Sequence, residues 1–471
     1  MSTYTGQKPN IVFIMADDMG YGDAGCYGAK KIKTPNIDLL ASVGMRFTDA
    51  HSSSAVCTPS RYSVLTGRYA WRTRLNKNVQ CGHGLPLIEN ERKTVASMLR
   101  DHGYATGAFG KWHLGFKYTR KDGTFFTESQ SLNDSPDNAD LYYKDIDYSK
   151  PLYGGPLDNG FDVFFGISGS LDMPPYCFIR NRHTEGIPFI EKQRITQQRA
   201  GYAVEGWDDT EVDVRFTDEA CGFIRRSSAL EKPFFAYIPL SSPHRPCVPP
   251  EFIRGKSDAG LRGDSVMLAD WCLGKILGEL TDCGILNDTL VIFTSDNGAN
   301  PCDYFGRTYG HKSNGDLRGF KADIYEGGHR VPFVASWPGR IPEGTVSDSL
   351  CGLIDLMATV ADINGISLEQ DDAPDSVSIL PVLTNPHAAV RKTIINHSVH
   401  GMFAIRSKDW KLIDGLGSGG FSSPSFYPPQ REGLTGQLYS MKDDCWEQVD
   451  FFLREKEVVE KMMCELEETK D

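Results

Sequence analysis

Short apolar runs, several of them rich in β-branched residues, alternate along this chain with stretches whose apolar positions recur at helical spacing. Ile11–Ala16 is a continuous apolar run that stops at Asp17-Asp18, which predicts a buried strand with two carboxylates at its C-terminal end. Tyr104–Phe109, Phe161–Phe165, Phe234–Leu240 and Leu290–Thr294 predict further strands, the last ending in Ser295-Asp296-Asn297-Gly298. Pro35–Val43 predicts a helix, with Thr34 as N-cap and Pro35 at its first position. Thr58–Leu65, with Pro59 in its first turn, Thr94–Leu99 and Leu261–Leu280 predict three more. Residues 119–159 are polar, Asp-rich and aperiodic, and read as a surface excursion.

Strands alternating with helices predict an α/β fold, a large and mostly parallel sheet covered on both faces. Both acidic strand ends would then lie at the edge where open α/β sheets bind their ligands. The composition shifts near residue 375. Ala404–Ile413 reads as one strand of a hairpin, Gly415–Gly433 as a Gly/Ser/Pro-rich loop, Leu438–Ser440 as the start of another strand, and Val449–Glu468 as an amphipathic helix. The expected organisation is a catalytic domain over 1–375 and a small α+β subdomain over 376–471, with a short antiparallel sheet and a terminal helix.

Charge and cysteine content narrow the function. Fifty basic residues against 62 acidic give a net charge of −12, which argues against a nucleic-acid or anionic-membrane binder. Twelve cysteines in 471 residues, with no CxxC pair, suit free thiols in a reduced compartment better than a disulfide scaffold. The first apolar run is too short for a signal-peptide core or a membrane span. A cytoplasmic location is therefore preferred, with periplasm or secretion the alternative if a leader has been removed.

Asp17, Asp18, Asp296 and Asn297 are hard oxygen donors, suited to calcium or magnesium rather than zinc. In Cys57-Thr58-Pro59-Ser60-Arg61, Pro59 sets a helix start, so Cys57 falls at the positive helix end. That placement predicts a lowered thiol pKa and an anion site, with Arg61 one turn on. Lys111, His113, His244 and Lys321 fall in predicted ligand-edge segments. Trp71, Arg72, Arg74, His83, Arg180, His183, His311 and Lys312 form a basic and aromatic set able to read a sugar and its anionic groups.

C-T-P-S-R followed by Leu65-Thr66-Gly67-Arg68 resembles the signature of type I sulfatases of the alkaline phosphatase superfamily. The likeness extends to N-I-V-F-I-M-A-D-D-M-G-Y-G-D at 10–23, G-K-W-H-L-G at 110–115, T-S-D-N-G at 294–298 and K-A-D-I-Y-E-G-G-H-R-V-P at 321–332. It implies an alkaline phosphatase-like fold and conversion of Cys57 by a maturase to formylglycine, whose hydrate is the nucleophile. It also implies calcium, more than magnesium, on Asp17, Asp18, Asp296, Asn297 and the modified Cys57. Arg61 would hold the hydrate, Lys111 and Lys321 would neutralise the sulfate, and His113 would take a proton during sulfate release. His244, alone or with Lys321, would protonate the leaving alcohol. Ser168 or Ser170 matches a polar residue of some members, and Glu326-Gly327-Gly328 with Arg330 is read as structural support.

The implied activity is hydrolysis of a sulfate ester on the terminal residue of a sulfated carbohydrate, with galactose or N-acetylgalactosamine sulfate preferred. The competing readings are a phosphonate or phosphate monoester hydrolase of the same superfamily and an inactive carbohydrate-binding homologue. Near the C-terminus the chain departs from the family's L-Y-D-L…D-P-x-E pattern, with Leu438-Tyr439-Ser440-Met441-Lys442-Asp443-Asp444-Cys445-Trp446-Glu447 in its place.

Overall fold

The computed structural model describes residues 8–127, 143–300, 307–429 and 433–470. Among them, a ten-stranded sheet is built around five parallel strands. In spatial order these are Thr289–Ser295, Asn10–Ala16, Phe234–Pro239, Ala105–Lys111 and Val163–Ile167. Phe333–Ser336, unread in the sequence, joins antiparallel beside Thr289–Ser295, and Met45–Phe47 pairs with it in turn.

The Asn10–Ala16 strand shows why its run carries no polar residue. Ile11, Phe13 and Met15 enter one core and Val12, Ile14 and Ala16 the other, so both faces are buried. The first core takes Val64 and Leu65 of the Cys57–Thr66 helix, the Val95–Asp101 helix and the Leu356–Ile363 helix. The second takes the Pro35–Ser42, Val212–Ala229 and Gly260–Asp282 helices. The Val212–Ala229 helix is absent from the sequence reading, although Val212, Phe216, Ala220, Phe223 and Ile224 are buried at helical spacing.

Thr94, read in the sequence as the first residue of its helix, is the cap: its Oγ accepts from Ser97 N at 3.0 Å while Ser97 Oγ accepts from Thr94 N at 2.9 Å. Thr34 does not cap. Its hydroxyl accepts from Gly25 N, and the free N–H groups of Asn36 and Ile37 go to the carboxylate of Asp270, at 2.9 and 2.8 Å. A partner 234 residues away supplies this cap.

The supposed surface excursion is partly core. Tyr143, Ile146, Tyr148 and Leu152 are buried, while residues 128–142 of that stretch lie outside the described residues. Ala404–Ile413 is not one strand but two, Phe403–Ser407 and Trp410–Asp414, paired antiparallel. With Thr393–His397 and Gln437–Ser440 they make a four-stranded sheet. The Lys456–Lys470 helix covers it through Met462 and Leu466, starting later than the pattern from Val449 suggests. The Leu380–Thr384 helix packs into the first large core through Val382 and Leu383. Residues 430–432 of the Gly415–Gly433 loop lie outside the described residues.

Candidate active site

The Asn10–Ala16 and Thr289–Ser295 strands are parallel neighbours in register, Ala16 beside Ser295. Their acidic continuations therefore emerge side by side. Asp18 N donates to Asp296 Oδ1 at 3.1 Å and Asn297 Nδ2 to Asp18 Oδ1 at 2.8 Å. All four residues are buried. Close backbone packing holds the second loop: Gly298 N donates to Gly328 O at 2.8 Å, and a Cβ on Gly298 would lie 1.9 Å from Gly327 O. Asp18, His113 and Ala322 adopt left-handed φ values of 64°, 55° and 80°, which side chains other than glycine tolerate only where the surroundings enforce them.

Three cations oppose the three carboxylates. Arg61 Nη2 lies 2.7 Å from Asp296 Oδ2 and 3.5 Å from Asp17 Oδ1, and Lys111 Nζ is 2.7 Å from Asp17 Oδ2. Lys321 Nζ is 2.7 Å from Asp18 Oδ2. Burial alone would raise the Asp18 carboxyl, but Lys321 and then His244 outweigh it and hold it below the usual carboxylate range. Asp296 is pushed up to about 6, first by burial and then by its like-charged neighbour Asp17.

Cys57 is 2% exposed at the first turn of its helix. Its thiol pKa is raised, not lowered as the helix-end placement predicts: burial outweighs the nearby Lys111 and Lys321. Ligand atoms of Asp17, Asp18, Cys57 and His244 all lie within 4.8 Å of one another. Asp17 Oδ1 and Asn297 Oδ1 are buried without a hydrogen-bond partner. Orphaned oxygens among clustered carboxylates fit a hard divalent cation.

The two histidines differ in which nitrogen is engaged. His113 Nε2 lies 2.7 Å from Gln80 O and so carries the proton, leaving buried Nδ1 unpartnered as an acceptor. His244 Nδ1 lies 2.6 Å from Arg245 O, and its Nε2 is 3.6 Å from Asp18 Oδ2. Burial and then Lys321 push His244 down to about 4.

The structure thus brings Cys57, Arg61, Lys111, His113, His244 and Lys321 together with Asp17, Asp18, Asp296 and Asn297. Several proposed substrate readers have partners outside that cluster. Trp71 stacks on Tyr69 with centroids 3.9 Å apart and meets His397 and Phe403 edge-on. Arg72 forks onto Asp375 and donates to Thr469 O, and Arg74 donates to the carbonyls of Leu85 and Pro86. These are ties to neighbouring chain segments, and the reading of Trp71, Arg72 and Arg74 as substrate contacts stays a proposal. His311 is buried on Asp23 at 2.8 Å, Lys312 is exposed and paired with Asp316, and Arg180 is held by Glu185 and Glu219. His183 is exposed, and His83 meets the hydroxyl of Tyr148.

Asp172 was not singled out from the sequence. Its charge acts on His244, and its buried Oδ1, like Gln80 Oε1 and the hydroxyls of Ser168 and Ser170, has no hydrogen-bond partner. Its signal was positional: S-G-S-L-D follows the Val163–Ile167 strand at the ligand edge.

A family model described as Sulfatase matches residues 9–366. The chain belongs to the sulfatase family. This sulfatase is 34% identical over 450 residues to an N-acetylgalactosamine-6-O-sulfatase of Bacteroides thetaiotaomicron, the match covering 87% of this chain and 83% of the relative. It is 33% identical to human arylsulfatase A over 425 residues, covering 86% and 74%. Among solved structures, a Bacteroides thetaiotaomicron protein described under the metabolism of multiple glycosaminoglycans superposes with a TM-score of 0.84. That match has 30% identity and covers 99% of this chain and all of the other. The fold and the sulfuric-ester hydrolase class follow.

Proposed function

We propose that this sulfatase removes sulfate from the terminal sugar of a sulfated glycan, with N-acetylgalactosamine or galactose 6-sulfate as the sugar. Asp17, Asp18, Asp296 and Asn297 would hold a calcium ion beside residue 57, which would act as formylglycine. The observation that carries the reading is the closed cluster of Cys57 with Asp17, Asp18 and His244, ringed by Arg61, Lys111 and Lys321. The choice of N-acetylgalactosamine 6-sulfate rests on the named activity of the Bacteroides relative.

Calcium would supply positive charge to the sulfuryl oxygens, and the oxidised residue 57 a hydrated aldehyde as nucleophile; the Cys57 sulfur stands where that residue's oxygen would be. Arg61, fixed between Asp296 and Asp17, orients residue 57, and Asp296, whose charge acts on Cys57, is the carboxylate that draws a proton from it. Lys111 and Lys321 oppose the negative charge of the ester and the charge growing on its bridging oxygen. That oxygen receives its proton from the Lys321–His244 pair, in which the lysine is the charged member. His113 Nδ1, unprotonated and free, takes the proton that accompanies sulfate release. Because Cys57 is 2% exposed, the maturase must act before the chain closes around it.

Two measurements test this. Peptide mass across Cys57 should be lower by about 18 Da, the change from thiol to aldehyde. Sulfate release should then be followed on N-acetylgalactosamine 6-sulfate, galactose 6-sulfate, glucosamine 6-sulfate and 4-nitrophenyl sulfate, with phenyl phosphonate as the rival ester. Faster turnover of the phosphonate would overturn the sulfatase reading. Activity on the aryl sulfate but on no sugar would overturn the carbohydrate reading.

A further inference from the structure

A groove of about 720 Å³ lies between the 308–319 segment and the C-terminal residues Trp446 and Gln448, lined also by His311, Lys312, Asn314 and Asp316. It continues along Asp316, Trp446 and Gln448 into a second hollow of about 450 Å³. Its one large apolar side chain facing solvent is Trp446, 44% exposed, and among the described residues no aromatic ring packs on that indole.

An exposed tryptophan on a mobile loop would mean little, but this one is held on both sides. Asp444 Oδ2 accepts from the N–H groups of Gln448 and Val449, both at 2.7 Å. Glu447, with a left-handed φ of 57°, is buried, and its carboxylate takes Glu326 N and Lys411 Nζ at 2.7 and 2.8 Å. Arg318 donates to Glu447 O at 2.8 Å. The backbone that presents the indole is therefore fixed before binding, which lowers the ordering cost of a contact there.

The opposite wall is equally fixed and is tied to the catalytic centre. Gly22 N donates to Ser313 O at 2.7 Å, and Asn314 Oδ1 accepts from Ala299 N at 2.9 Å. Arg262 spans the wall and the site, with Nη1 on Ser313 Oγ at 2.8 Å and Nη2 on Asp18 O at 3.0 Å.

We propose that this groove is a saccharide subsite for the part of the glycan linked to the sulfated terminal sugar, with Trp446 stacking on a pyranose face, Asp316 accepting from its hydroxyls, and Lys312 and Gln448 donating to its hydroxyl or carboxylate oxygens. The inference rests on the carbohydrate reading above. An indole beside mixed polar groups is the chemistry of a sugar site, amphipathic on one face and hydrogen-bonding at the edges. Neither charge sign dominates the lining, so the groove selects a sugar and not a bare anion.

The test uses three substrates on mature enzyme: 4-nitrophenyl sulfate, N-acetylgalactosamine 6-sulfate, and a chondroitin 6-sulfate trisaccharide with N-acetylgalactosamine 6-sulfate at its non-reducing end. Trp446→Ala should lower kcat/KM on the trisaccharide about tenfold through KM and leave the other two substrates within about twofold. Trp446→Phe, which keeps a ring, should fall between parent and alanine variant. An unchanged trisaccharide rate, an equal loss on all three substrates, or a parent enzyme that accepts the monosaccharide but refuses the trisaccharide would each overturn the subsite. A parent that hydrolyses only the aryl sulfate would instead overturn the carbohydrate reading, and the subsite with it.

Discussion

Lys411→Met should destabilise the protein more than any exposed substitution, because Lys411 is a wholly buried cation at the junction of the C-terminal sheet with the catalytic domain. Its Nζ lies 2.8 Å from Glu447 Oε1, 3.2 Å from Glu326 Oε1 and 2.9 Å from His329 Nε2. Glu326 retains Arg330 at 2.9 Å after the change, but Glu447 retains only the Glu326 N–H. Removing one partner of a buried pair costs about 3–5 kcal/mol, chiefly because the other charge is left uncompensated. With an unfolding entropy near 2.1 cal/mol/K per residue, 471 residues melting as one unit would turn about 4 kcal/mol into a Tm loss of roughly 4 °C. The double variant Lys411→Met/Glu447→Gln should recover much of that loss. A glutamine carbonyl still accepts from Glu326 N–H, and no orphan charge remains. Differential scanning calorimetry of parent, both singles and the double closes the cycle. A single variant within about 1 °C of the parent, or a double that loses the sum of both singles, would refute the reasoning.

Asp17→Ala should abolish turnover and calcium uptake together, read by isothermal titration calorimetry on chelator-treated protein; full activity without the metal would sink the oxygen-donor assignment. His244→Ala should slow a sugar sulfate about 10²–10⁴-fold more than 4-nitrophenyl sulfate, whose leaving group needs little proton help. Equal losses on both would assign His244 to binding. Burial pushes Asp270 up to about 6, so the folded chain holds a proton more tightly than the unfolded one. Stability from this group is present below about pH 4 and lost as pH rises through 6. Thermal melts should therefore show the parent gaining on Asp270→Asn between pH 7 and pH 4, and parallel curves would mean the carboxyl titrates normally.

The catalytic core was legible because each part of it is local. Strand ends carrying Asp17-Asp18 and Asp296-Asn297, and a helix opening on Cys57 with Arg61 one turn later, are set by residues within a few positions of one another. Backbone geometry converts those spacings directly into directions. The partners of Trp71, Arg72 and Arg74 were not legible, for the complementary reason. Side-chain type announces what a residue can bind, whereas its actual partner, Asp375 for Arg72 or Tyr69 and Phe403 for Trp71, depends on which surfaces the fold brings together. The thiol of Cys57 shows the same limit, since the helix start predicts a lowered pKa and burial by distant segments reverses it.

By itself, the sequence determined the parallel α/β sheet, the acidic edge and the nucleophile helix, because apolar runs that must be buried on both faces leave few alternatives. Only the tertiary structure decided how charges are paired across long separations. It placed Asp270 as the cap of a helix 234 residues away, Asp172 where its charge acts on His244, and Lys411 between Glu326 and Glu447. Buried ions are stable only with partners, and for these three residues the partners come from remote segments that no local pattern connects.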